Sequence, residues 1–142
     1  MKIVVQDDWF SREQCMNNPT SIYVFGDNAQ RVGNGGQAQI RGCSNVIGVA
    51  TKRTPSMDDE AFFNDSFEDL KVLFNDLSNL HYMHSLETYD HMTLIFPVDG
   101  LGTGLSELPK RAPFLNKQLE LLLDKYFNII TRFDGTLVHV KR

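Results

Sequence analysis

The stretch VFGDNAQRVGNGGQAQIRG, residues 24–42, holds the pattern that decides the fold and raises the question of function. It continues an apolar run that starts at Ser21 and is rich in β-branched and aromatic residues, which predicts a buried central strand. Gly-Asp-Asn ends this run, and Gly33, Gly35 and Gly36 then precede a short segment of helical composition. The glycines either serve a tight turn or bring bare backbone amides to a helix start, where anions are favoured.

Outside this stretch, predicted strands alternate with predicted helices. Two amphipathic helices are expected, at residues 66–81 with Ser66 as N-cap and at residues 110–127 with Pro113 in the first turn. A short helix is expected after Ser11, whose spacing from the following Gln matches a capping box. The further predicted strands are KIVV (2–5), NVIGVA (45–50), HMTLIFP (91–97), NIITRF (128–133) and TLVHV (136–140).

This alternation on a chain of 142 residues predicts the α/β class. The length suits one domain, residues 1–142, and the expected architecture is a three-layer α/β/α sandwich with a mixed, mostly parallel sheet. In such sheets ligands bind beyond the carboxyl ends of the strands. Three predicted strand ends carry unusual residues, namely GDN (26–28), ATKR (50–53) and PVDGLGTG (97–104). Their convergence at one edge of the sheet indicates a binding site.

The bulk composition excludes several classes of partner. A formal net charge of −4 argues against general nucleic-acid binding and against attachment to anionic membranes, since most of the surface would repel either partner. No apolar stretch approaches the roughly 20 residues that span a bilayer, and no signal peptide is recognised, so a cytoplasmic protein is expected. Cys15, Cys43 and the histidines have no metal-ligand spacing, so we expect reduced thiols and no metal site.

A second glycine cluster, GLGTGL at residues 100–105, follows the predicted strand HMTLIFP. Its backbone amides could wrap a phosphate, with the Thr103 hydroxyl as a further donor, although loop geometry alone explains one or two such glycines. The first cluster is not a Walker P-loop, because no Gly-Lys-Ser/Thr follows it. Gly33-x-Gly35-x-x-Ala38 matches the relaxed dinucleotide fingerprint, but it lies too far beyond its strand. We expect the two clusters to lie side by side in space and to hold a pyrophosphate jointly.

Polar residues at the predicted strand ends allow two interpretations each. Asp27 and Asn28 are either ordinary turn residues or ligands for sugar hydroxyls. Lys52 is either a solvated side chain or, near phosphates, a counter-charge. With a depressed pKa, Lys52 could also act as a nucleophile or base.

Together these segments resemble the macrodomain family, whose members bind ADP-ribose. VVQDDWF looks like the family's opening strand followed by an Asp that contacts adenine, which maps to Asp8 with Trp9 or Phe10 beside it. Residues 22–40 are similar to the Asn-containing strand end and glycine loop of the family, and residues 96–109 to its second phosphate loop. The order of the segments matches along nearly the whole chain.

Within that family, VIGVATKRTPS resembles the branch that removes ADP-ribose from protein carboxylates or nucleic-acid bases through a lysine, which places Lys52 at the catalytic position. In that branch the lysine works with an Asp just after the Gly-x-Gly-Leu of the second loop. Ser106 occupies this position here and cannot serve as a carboxylate acid or base. Asp99 and Glu107 are the candidates to move protons if the protein is a hydrolase.

The resemblance implies a protein that binds ADP-ribose or an ADP-ribosylated macromolecule, without a cofactor. Three hypotheses remain: an ADP-ribosyl hydrolase, a non-catalytic module that binds or sequesters an ADP-ribose-derived nucleotide, and a protein-interaction scaffold whose glycines only form turns. The expected catalytic residues are Lys52, Asp99 and Glu107. The expected ligand-binding residues are Asp8, Trp9, Phe10, Asp27, Asn28, Gly33, Gly35, Gly36, Gln37, Gly100, Leu101, Gly102, Thr103, Gly104 and Leu105.

Overall fold

The computed structural model describes all 142 residues, and its centre is a four-stranded sheet. The strands are β1 (Lys2–Gln6), β2 (Ser21–Asn28), β3 (Val46–Lys52) and β4 (Thr93–Pro97). Their order across the sheet is β1–β4–β2–β3, and all three neighbouring pairs are parallel. The predicted α/β class with a mostly parallel sheet is confirmed. β2 extends through Asp27 and Asn28, which were expected to follow it.

Four helices connect and cover the strands: α1 (Arg12–Asn17), α2 (Phe67–Ser85), α3 (Leu108–Arg111) and α4 (Pro113–Phe127). Ser11 and Ser66 cap α1 and α2 as predicted, each accepting a hydrogen bond from an amide three residues later. The helix predicted at residues 110–127 is interrupted at Ala112, whose φ is −144°. Pro113 explains the break, because it disfavours helical geometry in the preceding residue and has no N–H to bond backwards.

Apolar side chains pack on both faces of the sheet, which is why the central strands carry them at successive positions. On one face, Val24 of β2 and Phe96 of β4 belong to a cluster with leucines of α2 and α4. On the other face, Tyr23 and Phe25 of β2 pack with Cys15 of α1. A 3₁₀ helix, Gly36–Ile40, contributes Ala38 and Ile40 to this second cluster.

The last two strands form a separate antiparallel pair, β5 (Ile129–Thr131) with β6 (Leu137–His139). Both are shorter than predicted, and Asp134 and Gly135 lie in the turn between them, as expected. The Leu137 amide donates to the Val98 carbonyl at 2.8 Å, which fastens the hairpin to the chain just beyond β4. None of the helices combines the length and the apolar character needed to cross a bilayer.

Candidate functional site

A cleft of about 610 Å³ opens at the carboxyl ends of β2, β3 and β4. Parallel α/β sheets bind ligands at this edge, where neighbouring connections leave in different directions. The first glycine loop (residues 29–37) and the second glycine loop (residues 98–106) form two of its walls. The cleft residues are Trp9, Gly26, Asp27, Asn28, Val32, Gly33, Gly35, Gly36, Gln37, Ala38, Lys52, Pro55, Asp99, Leu101, Thr103, Gly104, Leu105, Ser106, Asp134, Gly135 and Thr136.

The two glycine loops lie side by side, as predicted. The side-chain amide of Gln37 accepts a hydrogen bond from the Gly26 amide at 2.7 Å and donates one to the Gly100 carbonyl at 2.7 Å. Leu105 reaches across to Gly36, where an added Cβ would lie 3.4 Å from its Cδ1 atom. Any Cβ at Gly26 would overlap the Leu101 carbonyl oxygen. Glycine at position 26 therefore lets the second loop sit directly on the end of β2.

The carbonyl groups of the second glycine loop are held from within the protein. Four successive carbonyls, those of residues 99–102, each accept a hydrogen bond, whereas the amides of residues 101–105 donate to no protein acceptor. Thr103 was expected to donate to a ligand, but its hydroxyl proton goes to the Asp99 carbonyl. The Asp99 carbonyl accepts from the Thr103 hydroxyl, and the Gly100 carbonyl accepts from the Gln37 side-chain amide. The Leu101 carbonyl accepts from the Thr51 hydroxyl at 3.3 Å, and the Gly102 carbonyl accepts from the Leu108 backbone amide at 2.9 Å.

In the first glycine loop, too, side chains hold carbonyl groups while a series of backbone amides has no acceptor in the protein. Asn28 donates to the Val32 carbonyl at 2.7 Å, and Arg41 donates to the Gly33 carbonyl at 2.7 Å. The amides of residues 32–37 donate to no acceptor in the protein. Backbone N–H groups normally find a partner, in the protein, in water or in a ligand. Two adjacent loops with unpaired amides, in which several carbonyls are held from within the protein, have a backbone arrangement that favours an anion.

Asp27 and Asn28 line the cleft, and their polar atoms have partners within the protein. The buried Asp27 carboxylate receives two hydrogen bonds from the Arg41 guanidinium, and Arg31 lies 3.6 Å from it. Arg31 also pairs with Asp76 of α2 at 2.7 Å. The Asn28 amide bridges the Val32 carbonyl and the amide of residue 30. Both side chains line the cleft, but their polar atoms are used to shape the first loop.

Lys52 lies at the end of β3 and lines the cleft, as predicted. Its side chain is buried, with the ammonium donating to the Ser56 carbonyl at 2.6 Å and lying 3.5 Å from the Met57 sulfur. The ammonium also lies 4.5 Å from the centre of the Phe62 ring. No carboxylate lies within ion-pair distance of it. Burial lowers the pKa of Lys52, with Glu107 opposing this change and Arg111 adding to it.

Only one of the two expected proton carriers reaches the cleft. Asp99 lines it and is exposed. Glu107 does not line it, because its carboxylate lies 3.4 Å from Arg111 Nε and 3.9 Å from Lys110 Nζ. Ser106, at the position where the resembling branch has its Asp, is buried in the cleft wall with its hydroxyl 2.6 Å from that of Thr51. The site thus lacks the carboxylate that the resemblance assigns to the reaction.

Trp9 and Phe10 are adjacent in sequence but have different roles. Trp9 is 64% exposed and lines both the cleft and a small adjoining cavity. Phe10 is buried and packs edge-on against Tyr23 at 5.0 Å, so it is part of the core, and it also lines the adjoining cavity. Asp8 lines the adjoining cavity and not the main cleft.

The β5–β6 turn is a wall of the cleft that the sequence analysis missed. Asp134, Gly135 and Thr136 line it, and the Gly135 carbonyl would lie 3.2 Å from a Cβ at Gly100. Thr136 donates to the Asp134 carboxylate through its hydroxyl and its amide, and these bonds lower the pKa of Asp134. The only available signal was an Asp-Gly-Thr turn, typical of many surface loops.

A few predicted residues lie behind the cleft surface. Gly100 and Gly102 do not line it, although both shape the second loop. A Cβ at Gly102 would lie 2.7 Å from Leu108, so this glycine serves the packing of α3. Gly26, Val32, Ala38 and Pro55 line the cleft without having been predicted.

Comparison with protein families gives a match that covers most of the chain. The model of a family of unknown function, DUF7831, matches residues 5–122, which include both glycine loops. The chain belongs to this family of unknown function. The match ends before the β5–β6 turn, so one wall of the cleft lies outside it. Neither the curated proteins nor the solved structures contain a match to the chain.

Proposed function

We propose that the protein binds ADP-ribose, free or attached to a macromolecule, as a macrodomain-like domain with a three-layer α/β/α architecture. One observation carries the proposal: two adjacent glycine loops have several carbonyls held from within the protein and a series of unpaired amides. A diphosphate is the group best matched to two such loops, because each can surround one phosphate. The cleft volume of about 610 Å³ falls in the range of small-molecule sites.

The remaining parts of ADP-ribose have candidate partners around the diphosphate. The exposed indole of Trp9 offers a flat apolar surface for adenine, and Asp99 and Asp134 offer acceptors for its amino group. Lys52 supplies the positive charge that no protein carboxylate neutralises directly. Because the chain carries a net charge of −4, the proposed attraction is local, from oriented amides and Lys52. The free thiols of Cys15 and Cys43 suit the cytoplasm, where we place this activity.

Binding without turnover is the form of the proposal that we favour. Ser106 stands where the resembling branch has an Asp, and Glu107 is paired outside the cleft. Hydrolysis is the second candidate, since the lowered pKa of Lys52 increases the fraction of neutral amine that could attack C1 of the distal ribose. The attack would displace the carboxylate or base of the modified macromolecule, and water would then cleave the bond between C1 and the lysine. Asp99 is then the proton carrier available in the cleft.

Calorimetry with ADP-ribose, ADP and adenosine tests the binding proposal. We expect both diphosphates to bind and adenosine to bind far more weakly. Gly36→Ala and Gly42→Ala are a matched pair, since both glycines have positive φ (58° and 95°) but only Gly36 lines the cleft. Gly36→Ala should weaken ADP-ribose binding about tenfold, and Gly42→Ala should not change it beyond its effect on stability. If no diphosphate binds the wild type, the scaffold hypothesis gains instead.

A release assay separates the binder from the hydrolase. ADP-ribosylated protein and ADP-ribosylated DNA are incubated with the wild type and with Lys52→Ala, and freed ADP-ribose is measured. The favoured proposal expects no release by either. Release by the wild type that Lys52→Ala abolishes would establish the hydrolase, and equal release by both would remove Lys52 from the mechanism.

A further inference from the structure

A peptide group in the second glycine loop can turn over, so that its carbonyl and its amide exchange directions, with little backbone strain. Turning over the peptide between Leu101 and Gly102 changes only ψ of Leu101 and φ of Gly102, and glycine accepts either sign of φ. Turning over the peptide between Gly100 and Leu101 changes ψ of Gly100 and φ of Leu101, so glycine frees only one of its two angles. Such a reversal would place a carbonyl oxygen where an amide now stands. Because a carbonyl dipole repels an anion, the direction of these two peptides decides whether the cleft binds phosphate.

We propose that Gln37 and Thr51 are positioning residues that set the direction of these two peptides. Gln37 donates to the Gly100 carbonyl at 2.7 Å and Thr51 to the Leu101 carbonyl at 3.3 Å. Each side chain thus holds one of two successive carbonyls away from the cleft. Neither needs to touch the ligand, since both act through the loop amides. This role rests on the proposed function, because it concerns the binding of a diphosphate.

Both residues are fixed by the sheet, so they can hold the loop rigidly. The Gln37 carbonyl oxygen is held by the Gly26 amide of β2 at 2.7 Å. Thr51 is fully buried in β3, and its hydroxyl lies 2.6 Å from that of Ser106. The Thr51 hydroxyl has one proton and three acceptors within reach: the Leu101 carbonyl at 3.3 Å, the Asp27 carbonyl at 3.5 Å and Ser106 Oγ at 2.6 Å. When this proton goes to Leu101, Ser106 donates to Thr51. Serine at position 106 is therefore compatible with a fixed Leu101 carbonyl, whereas an ionised carboxylate would compete for the Thr51 proton.

Thr51→Val and Thr51→Ser form the matched test pair. Valine keeps the shape of threonine and removes the hydroxyl, whereas serine keeps the hydroxyl. We expect Thr51→Val to bind ADP-ribose at least about tenfold more weakly, and Thr51→Ser to stay within about threefold of the wild type. Adenosine binding should be the same in all three proteins, because it involves no phosphate. Crystal structures without ligand should show the Leu101 carbonyl turned toward the cleft in Thr51→Val alone.

Gln37→Met provides a second measurement if Thr51→Val does not fold, because Gln37 is only partly buried. Methionine has a similar length and cannot donate to Gly100. The same loss of ADP-ribose affinity is expected, with the Gly100 carbonyl released.

The outcomes for the two proposals are separable. If the wild type binds ADP-ribose and Thr51→Val or Gln37→Met binds it equally well, the positioning role is wrong and the proposed function stands. If the wild type binds no diphosphate, the proposed function is wrong, and the ligand-free structures decide the positioning role. Unchanged peptide directions in the variants would overturn it, and reversed directions would support it.

Discussion

The two glycine loops acquire the same backbone polarity by different means. In the first loop, Arg41 donates to Val32 and Gly33 while the buried Asp27 holds Arg41 in place, and the neutral Asn28 amide adds a bond to Val32. In the second loop, neutral groups hold the carbonyls, through Gln37 and Thr51. The ion pair of Arg41 and Asp27 thus helps to fix the backbone of the first loop, whereas the side chains that fix the second loop are neutral.

This difference shows where attraction for an anion can originate. Arg41 lies beside the first loop, but the bidentate contact with Asp27 neutralises its charge within the protein. Lys52 has no such partner, and burial lowers its pKa. The cationic group that remains for a ligand is therefore Lys52, assisted by the unpaired amides of both loops. The nearness of an arginine to a glycine loop does not by itself indicate a phosphate ligand.

Breaking the ion pair between Asp27 and Arg41 should have the largest effect on stability. Asp27→Asn leaves Arg41 without a counter-charge in a mostly buried position, so we expect a loss of about 3 kcal/mol in the free energy of unfolding. Urea denaturation measures it. Asp99→Asn is the control, since Asp99 is exposed, and it should change stability by less than about 0.5 kcal/mol. Equal midpoints for Asp27→Asn and the wild type would show that the pair does not hold the first loop.

Displacing the second loop should have the next largest effect. In Gly26→Ala the new methyl group would overlap the Leu101 carbonyl, so the loop must move, at a cost of about 2 kcal/mol, and ADP-ribose binding should be lost. Gly104→Ala is the control for stability, because its Cβ would meet no atom within 4 Å and only its φ of 67° is strained. It should cost about 1 kcal/mol. Normal binding by Gly26→Ala would contradict the close seating of the loop on β2.

The same comparison indicates how much could be predicted from sequence. The parallel strands, the helix caps at Ser11 and Ser66 and the meeting of the two glycine loops followed from local patterns and from the geometry of parallel sheets. The role of Asp27 did not, because its partner Arg41 lies 14 residues away and turn chemistry alone explained the aspartate.

Two further features depended on tertiary packing. Trp9 and Phe10 have similar side chains in one short segment, and only the packing of Phe10 against Tyr23 tells which of them is exposed. The β5–β6 turn reaches the cleft through the bond from Leu137 to Val98, which no local pattern encodes.

Removing the proposed adenine surface should have a smaller effect, confined to binding. Trp9→Ala deletes a side chain that is 64% exposed, so the unfolding midpoint should hardly change. Its affinity for ADP-ribose should fall about tenfold through lost stacking and apolar contact. Inorganic pyrophosphate provides the internal control, since it has no base and should bind Trp9→Ala and the wild type equally. A matching loss for both ligands would mean that Trp9 shapes the phosphate site instead.

The pH dependence of Lys52 should give the smallest effect. Because burial lowers its pKa in the folded protein, the unfolded chain binds more protons between that lowered pKa and about 10.4. The contribution of Lys52 to stability should therefore rise with pH across this window, against the opposite contributions of Cys15 and Tyr23, whose pKa values burial raises. Affinity for ADP-ribose should fall as the ammonium loses its charge. Lys52→Met should remove both trends, and Lys110→Met, whose side chain is 79% exposed, should keep them. Parallel pH profiles for the wild type and Lys52→Met would contradict this role.

A ¹H–¹⁵N NMR titration of the wild-type protein with ADP most directly tests whether both loops hold one diphosphate. The amides of residues 33–37 and of residues 101–105, which have no acceptor in the protein, should shift together and saturate at the same ligand concentration. Adenosine should leave both sets unchanged. Shifts confined to one loop, or no shift in either at saturating ADP, would contradict a shared diphosphate site.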